Sequence, residues 1–378
     1  MRTREFAQLG FKTSVFGMGC MRLPQAQTGE TEKVDEIEAI KMIRYAIDHG
    51  VTYIDTAYDY HEGASEVIVG KALQEGYREK TKLATKLPLW HVKSYQDLER
   101  LLDEQLARLQ VDYVDFYLLH ALNAKWWQTV KELKVIRFLE EMLAVGKIKH
   151  LGFSFHDELP VFKEIIDAYQ WDMCQIQLNI LDENIQAGVE GLCYAGAKGI
   201  PVVIMEPLKG GKLGQNLPTD VLALWEQASE KRSPAEWAFR WLYNFPEVVV
   251  ILSGVSTMEQ LKDNIRIFAE AEPNVMSEEE LNLVRKVKDL YKSKTKVFCT
   301  GCEYCLPCPQ GVAIPRIFAY YNNVFIYNNR DQSASNYQKL VTKANDVSQC
   351  VECGACEQSC PQNIPIIEKL KEAHQEIS

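Results

Sequence analysis

Between Phe16 and about Glu270, short β-rich runs alternate eight times with amphipathic helical segments, and few folds accommodate that rhythm. The expected strands are VFGMG, YIDTA, KLATKL, VDFYLLH, HLGFSF, MCQIQLNI, PVVIMEPL and VVVILSGV, each followed by a helical pattern. In SYQDLERLLDEQLARLQ, for example, Leu98, Leu101, Leu102, Leu106 and Leu109 fall on one face at helical spacing. Gly50, Gly146 and Gly199 stand where helices should end, and Ser65 and Ser233 where they should begin. Eight such units close into an α/β fold, the (β/α)8 TIM barrel, whose reactive residues gather at the C-terminal ends of the strands.

The polar residues at those ends are Asp55, Lys86, His120, Ser154, Gln175 with Asn179, and Glu206. An acid, a lysine and a histidine on strands two, three and four would face one mouth. Tyr60, in DTAYDYHEGASE, follows Asp55 closely enough to lean over it. A lysine beside a tyrosine favours the phenolate and should lower its pKa, which suits a proton donor. Burial of that lysine requires a counter-charge, and Asp55 is placed to be one.

These residues resemble the aldo-keto reductases over roughly residues 5 to 270. YIDTAYDY is similar to the family's Asp and Tyr segment, ATK carries its lysine and LLH its histidine. The resemblance implies Tyr60 as general acid, Lys86 and Asp55 as its tuning pair, and His120 as the group orienting a carbonyl oxygen. FAQLGFKTSVFGMGCMRL is similar to the family's opening hairpin and first strand, which would bring Gly19, Cys20 and Met21 to the cofactor. GFSF and QIQLN resemble the stretches that hold a nicotinamide carboxamide, nominating Ser154 and Gln175. EPLKGGKL, with Pro207 and Leu208, would pass the pyrophosphate. SGVSTMEQLKDN, with Gly254, Ser256, Gln260 and Asn264, would hold the adenosine end. Met205 stands where many members place an aromatic residue, and Gly254 and Gln260 where NADP-preferring relatives often place Lys and Arg. The implied cofactor is NADP(H) or NAD(H), the choice between them open, and the implied substrate a small carbonyl compound or alcohol.

Cysteine usage divides the chain. Of eleven cysteines, Cys20, Cys174 and Cys193 are scattered, while eight lie between Cys299 and Cys360. CTGCEYCLPCP and CVECGACEQSCP have the C-x2-C-x2-C run followed by Cys-Pro of two-cluster bacterial ferredoxins, in which the fourth cysteine reaches the other cluster. That pattern assigns Cys299, Cys302, Cys305 and Cys360 to one [4Fe–4S] cluster, and Cys350, Cys353, Cys356 and Cys308 to a second. The first run is one residue shorter than the ferredoxin pattern. Two zinc sites are the alternative, although zinc usually takes two close ligands and two distant ones. The expected division is a barrel over 1–290 and a ferredoxin-like module over 291–378. NVMSEEELNLVRKVKDLYKSKT reads as a helix capped by Ser277 with Glu280, and GVAIPRIFAYYNNVFIYNNR as a helical insertion with aromatics on one face, for a core or for docking on the barrel.

The formal charge of −10, without Lys/Arg runs, gives no footprint for nucleic acid or an anionic membrane. No stretch approaches the roughly 20 apolar residues of a membrane span, and the N-terminus lacks a signal-peptide pattern. A cytoplasmic protein is expected. Three functions follow: a nicotinamide-dependent carbonyl reductase with clusters as electron port or structural element; a ferredoxin-linked oxidoreductase with a flavin in the barrel; and a dinucleotide-binding redox sensor with little turnover. A ferredoxin or other electron-transfer protein is the expected macromolecular partner. Hydride transfer moves two electrons and a cluster one, so something must split the pair to join them, and a flavin could.

Overall fold

The computed structural model describes all residues except 7–8, 27–32, 300, 302–304 and 361. An antiparallel hairpin, β1 (Thr3–Phe6) and β2 (Phe11–Ser14), precedes eight parallel strands. These are β3 (Phe16–Gly19), β4 (Tyr53–Asp55), β5 (Lys82–Leu87), β6 (Val114–Leu122), β7 (Ile148–Phe155), β8 (Met173–Gln177), β9 (Val202–Met205) and β10 (Val248–Ser253). They pair in chain order, and β10 bonds back to β3, closing the barrel. Every expected strand is present. Strands such as β10 are apolar along their length because both faces are buried, one by the barrel interior and the other by helices.

The hairpin closes one end of the barrel. Phe6 stacks on Phe11 and lies 5.1 Å from the ring of Phe116, in a cluster with Tyr53, Met173 and Val250. Since β1 and β2 lead into the start of β3, this plug sits at the N-terminal end of the strands. The C-terminal end is left for loops that carry chemistry.

Helix Tyr95–Leu109 buries the five leucines of its expected stripe, and Ser94 with Asp97 forms a capping box at its start. Gln105 is buried on the same stripe, which the leucine pattern did not foretell. Between β6 and the expected helix Val135–Ala144, a further helix, Ala124–Glu132, is capped by Asn123 and broken from the next by Lys134 at φ 52°.

Two compact units emerge: Met1–Leu213 with Ala235–Met276, and Gly214–Pro234 with Ser277–Ser378. The second includes helix Glu278–Lys294, which opens on the Ser277–Glu280 capping box read from the sequence. The 290/291 division expected from sequence lies inside this helix. Segment 214–234 joins the second unit through Lys294–Asp220 at 2.6 Å and Arg232–Glu280 at 2.8 Å. Helices Ile314–Tyr327, Arg330–Thr342 and Ile366–Ile377 form its core, with Phe318, Tyr321 and Tyr337 buried. The aromatics of the first helix thus pack, as their spacing suggested. Among the described residues, no helix is long and apolar enough to cross a membrane.

In the barrel unit, helix Ala64–Ala72 approaches the end of Tyr95–Leu109 through Gly70. A Cβ there would stand 2.6 Å from the Leu109 carbonyl oxygen and 2.7 Å from that of Arg108. Neither backbone group can step aside cheaply. Gly70→Ala is therefore expected to destabilise the barrel by about 1–3 kcal/mol in urea unfolding, and an unchanged midpoint would contradict this packing.

Candidate active site and cysteine loops

The centre of the barrel mouth is an ion pair. Lys86 Nζ donates to Asp55 Oδ1 and to the Thr56 carbonyl oxygen, both at 2.7 Å, with the two charged side chains 0% and 4% exposed. The ring of Tyr60 lies 5.0 Å from the ammonium, and the ring of His120 lies 6.0 Å from that of Tyr60, edge-on. The three strand-end residues Asp55, Lys86 and His120 and the loop residue Tyr60 thus meet at one point. Asp55 Oδ2 and His120 Nδ1 are buried without a hydrogen-bond partner among the described residues.

Electrostatics assign these groups different states. Burial penalises the Lys86 ammonium, but the charges and hydrogen bonds of Asp55 and Tyr60 outweigh it and raise the lysine pKa. Burial raises the Tyr60 hydroxyl above its ordinary value, with Lys86 pulling the other way. The expectation that Lys86 would leave the phenol more acidic is corrected here: its pull is in that direction, yet desolvation wins. Tyr60 consequently keeps its proton at neutral pH. His120 is held well below the usual imidazole range, first by burial and then by Lys86 and His156, and is neutral.

Strand geometry aims the histidine. The register of β6 on β7 shifts between Leu119 and Leu122, and Ala121 adopts φ 51°. A bulge of this kind beside a site re-aims a side chain. Ser154 Oγ accepts from the Ala121 N–H at 2.8 Å, pinning the bulge to β7. Ser154 is in register with Gln175 on β8, whose Nε2 donates to Met205 Sδ at 3.6 Å while Oε1 is buried without a partner among the described residues. A hydroxyl beside an unmet carbonyl acceptor suits a carboxamide, which both donates and accepts. Asn179, by contrast, is engaged with Asp182 and the Glu206 carbonyl, shaping a loop.

The remaining nominated residues form three local groups. Gly19 pairs with Asp55 in register, Cys20 is buried with its N–H donating to the Asp55 carbonyl at 2.8 Å, and Met21 is 53% exposed. Burial pushes the Cys20 thiol far up, so it stays protonated. Pro207 is buried and Leu208 accepts from Gly211 in the glycine loop after β9. Ser256 N–H donates to Gln260 Oε1, and Asn264 donates to Ser253 Oγ. Arg22, not singled out from sequence, lies along Gly254, where a Cβ would come within 3.1 Å of it, and 3.9 Å from Glu206.

A buried hub below the site was also missed. Glu66 accepts from Thr85 Oγ1 at 2.6 Å and Gln105 Nε2 at 2.7 Å, and Gln105 donates to the Lys86 carbonyl at 3.0 Å. Arg108 balances Glu66 and donates to the Tyr58 carbonyl at 3.1 Å. A charged residue inside the apolar run of SEVIVGKAL was the available signal. Trp90 lies 4.9 Å from the His120 ring and donates to Asp59 at 2.7 Å, adding an aromatic wall.

In the second unit, Cys308, Cys350, Cys353 and Cys356 line one cavity together with Val312, Ile314 and Leu370. This is the grouping expected when the fourth cysteine of one run joins the other. Among the described residues, no three His, Cys, Asp or Glu converge as they would on a single ion. Cys299, Cys305 and Cys360 pack against the module core, and Cys302 lies outside the described residues.

Residues 16–289 match the profile of the aldo/keto reductase family. The chain belongs to that family. Residues 298–364 match a 4Fe-4S dicluster domain, so this aldo-keto reductase carries an iron–sulfur domain behind its barrel. It is 29% identical over 296 residues to probable aldo-keto reductase 1 of Glycine max, covering 69% of this chain and 82% of that one. It is 27% identical over 263 residues to the NADH-specific methylglyoxal reductase of Escherichia coli K12, covering 57% and 78%. Among solved structures it resembles aldo-keto reductase AKR11C1 of Bacillus halodurans in its holo form, with a TM-score of 0.62 at 27% identity, covering 76% and 96%. It also resembles an aldo/keto reductase of Klebsiella pneumoniae in complex with NADP and acetate, with a TM-score of 0.58 at 25% identity, covering 73% and 92%.

If Cys308 and Cys353 serve one cluster, Cys308→Ala and Cys353→Ala should each leave about four iron and four sulfide per chain, and the double variant no fewer. Additive loss in the double variant would contradict the shared cavity.

Proposed function

We propose that the barrel reduces a small carbonyl compound, or oxidises the matching alcohol, with NADP(H) or NAD(H). The observation that carries this is the Lys86–Asp55 pair sealed beneath Tyr60, with a neutral His120 beside it. A reduced nicotinamide supplies the hydride when bound, and the free Gln175 Oε1 with the Ser154 hydroxyl suits its carboxamide. The similarity to an NADH-specific methylglyoxal reductase and to an aldo/keto reductase in complex with NADP supports a nicotinamide cofactor.

The chain's own residues then do the proton work. Tyr60, protonated at neutral pH, donates to the carbonyl oxygen as negative charge develops there. Lys86, held as the ammonium by Asp55, stabilises the tyrosinate left behind. His120 offers a hydrogen bond to the same oxygen without adding a second positive charge beside Lys86. Trp90 gives the substrate an apolar, aromatic wall.

Cys299, Cys302, Cys305 and Cys360 would hold one [4Fe–4S] cluster, and Cys308, Cys350, Cys353 and Cys356 the other, supplying one-electron capacity as an electron port or holding the module's fold. Hydride transfer moves an electron pair, so we assign the carbonyl step to the barrel alone.

The test uses methylglyoxal and a panel of small aldehydes and ketones with NADH and with NADPH. Tyr60→Phe should lower kcat by about 10²–10⁴ and leave dinucleotide affinity nearly intact. Reduction should fall with rising pH only as Tyr60 loses its proton, above the ordinary phenol value. Lys86→Met removes the charge that favours ionisation, so it should lower the rate and move that fall to still higher pH. Near-full activity of Tyr60→Phe on every substrate found would refute the assignment.

A further inference from the structure

Directly after Tyr60 the chain passes through three successive left-handed residues: His61 (φ 52°), Glu62 (φ 57°) and Gly63 (φ 90°). Glycine takes that region freely, whereas histidine and glutamate do so only when their surroundings hold them. Such strain collects at functional sites. This turn is held from two sides. Arg108 Nη1 donates to the Tyr58 carbonyl and lies 3.2 Å from where a Cβ on residue 63 would stand. Opposite, the Leu23 N–H donates to His61 Nε2 at 3.1 Å.

That second contact joins two parts of the site. Leu23 ends the short segment leaving β3, in which Cys20 donates to the Asp55 carbonyl and accepts from Ser65 Oγ at 2.9 Å. The turn carrying Tyr60 and the segment carrying Cys20 and Met21 are thereby tied through one imidazole. Burial lowers the His61 pKa, which keeps Nε2 free to accept. A side chain whose sole task was to fill a turn would be better replaced by glycine at this φ. Histidine is the more strained choice, and the Leu23 contact is what it contributes.

We propose that His61 is a positioning residue: its ring latches the Tyr60 turn to the Cys20–Leu23 segment and so fixes the Tyr60 hydroxyl over Lys86. The proposal rests on Tyr60 being the proton donor. Small displacements of a reacting group are costly, about 10²-fold for roughly 1 Å.

The test compares wild type, His61→Gly, His61→Gln and Tyr60→Phe, each loaded with iron and sulfide, by carbonyl reduction, thermal melting and hydrogen exchange at Leu23. His61→Gly relieves the strain and removes the acceptor. It should melt at the same or a higher temperature, exchange its Leu23 amide faster, and lose about ten- to hundredfold in kcat with KM nearly unchanged. His61→Gln, whose amide oxygen lies near the place of Nε2, should restore much of kcat and the Leu23 protection. Wild-type kcat in His61→Gly, with Tyr60→Phe inactive, would overturn the latch while leaving the proton donor in place. Unchanged Leu23 exchange in His61→Gly would overturn it too. An active Tyr60→Phe would instead remove the reading on which the latch depends.

Discussion

The buried contact between Lys86 and Asp55 sets the terms for the rest of the barrel mouth. Removing two charges from water costs several kcal/mol per ion, and only a close partner with further hydrogen bonds offsets it. Here the carboxylate at 2.7 Å and the Thr56 carbonyl provide both. The pair needs rigid walls to stay that close. Cys20 bonds the end of β3 to Asp55, and the Glu66–Gln105–Thr85 hub holds the backbone at Lys86. Glu66 is itself a buried acid whose pKa is raised by burial, with Thr85, Gln105 and Arg108 opposing. One buried charge beneath the site is therefore maintained by a second network behind it.

The same burial sorts the proton inventory. Burial, and then the positive charge of Lys86, disfavour a second cation nearby, and His120 is accordingly neutral. Tyr60 experiences opposite pulls, and desolvation prevails over the ammonium. Its protonated state at neutral pH suits donation to a carbonyl oxygen, whereas the reverse direction, alcohol oxidation, would require the tyrosinate and become easier as pH rises. With Tyr60 as the proposed proton donor, direction of turnover and pH would be coupled through one phenol.

Much of this was legible in the sequence because strand and helix periods are local. The eight apolar runs are the eight barrel strands, and since a barrel presents its strand ends together, Asp55, Lys86 and His120 could be grouped without coordinates. The Ser277–Glu280 capping box is likewise a four-residue pattern. What escaped depended on distant segments or on backbone conformation. Gln105 looks like a break in a leucine stripe until Glu66 and the Lys86 carbonyl are seen beside it. The left-handed turn at His61 has no sequence signature, and the direction of the Tyr60 pKa depends on burial that spacing cannot supply. Segment 214–234 belongs with the C-terminal unit through Lys294 and Glu280, contacts spanning tens of residues. That Cys308 lines one cavity with Cys350, Cys353 and Cys356 is likewise a matter of distant segments meeting.

In this chain an aldo-keto reductase barrel is followed by a 4Fe-4S dicluster domain. In the proposed reaction the bond-making step belongs to the barrel, where a hydride and the Tyr60 proton add to a carbonyl. The most direct test is an anaerobic single turnover with the fully loaded protein and a nicotinamide dinucleotide deuterated on one face of C4. Hydride transfer in the barrel should place deuterium on the carbinol carbon of the product, with stereochemistry set by a single face, and leave the visible absorbance of the clusters unchanged. Product without deuterium, formed as the cluster absorbance bleaches, would contradict it.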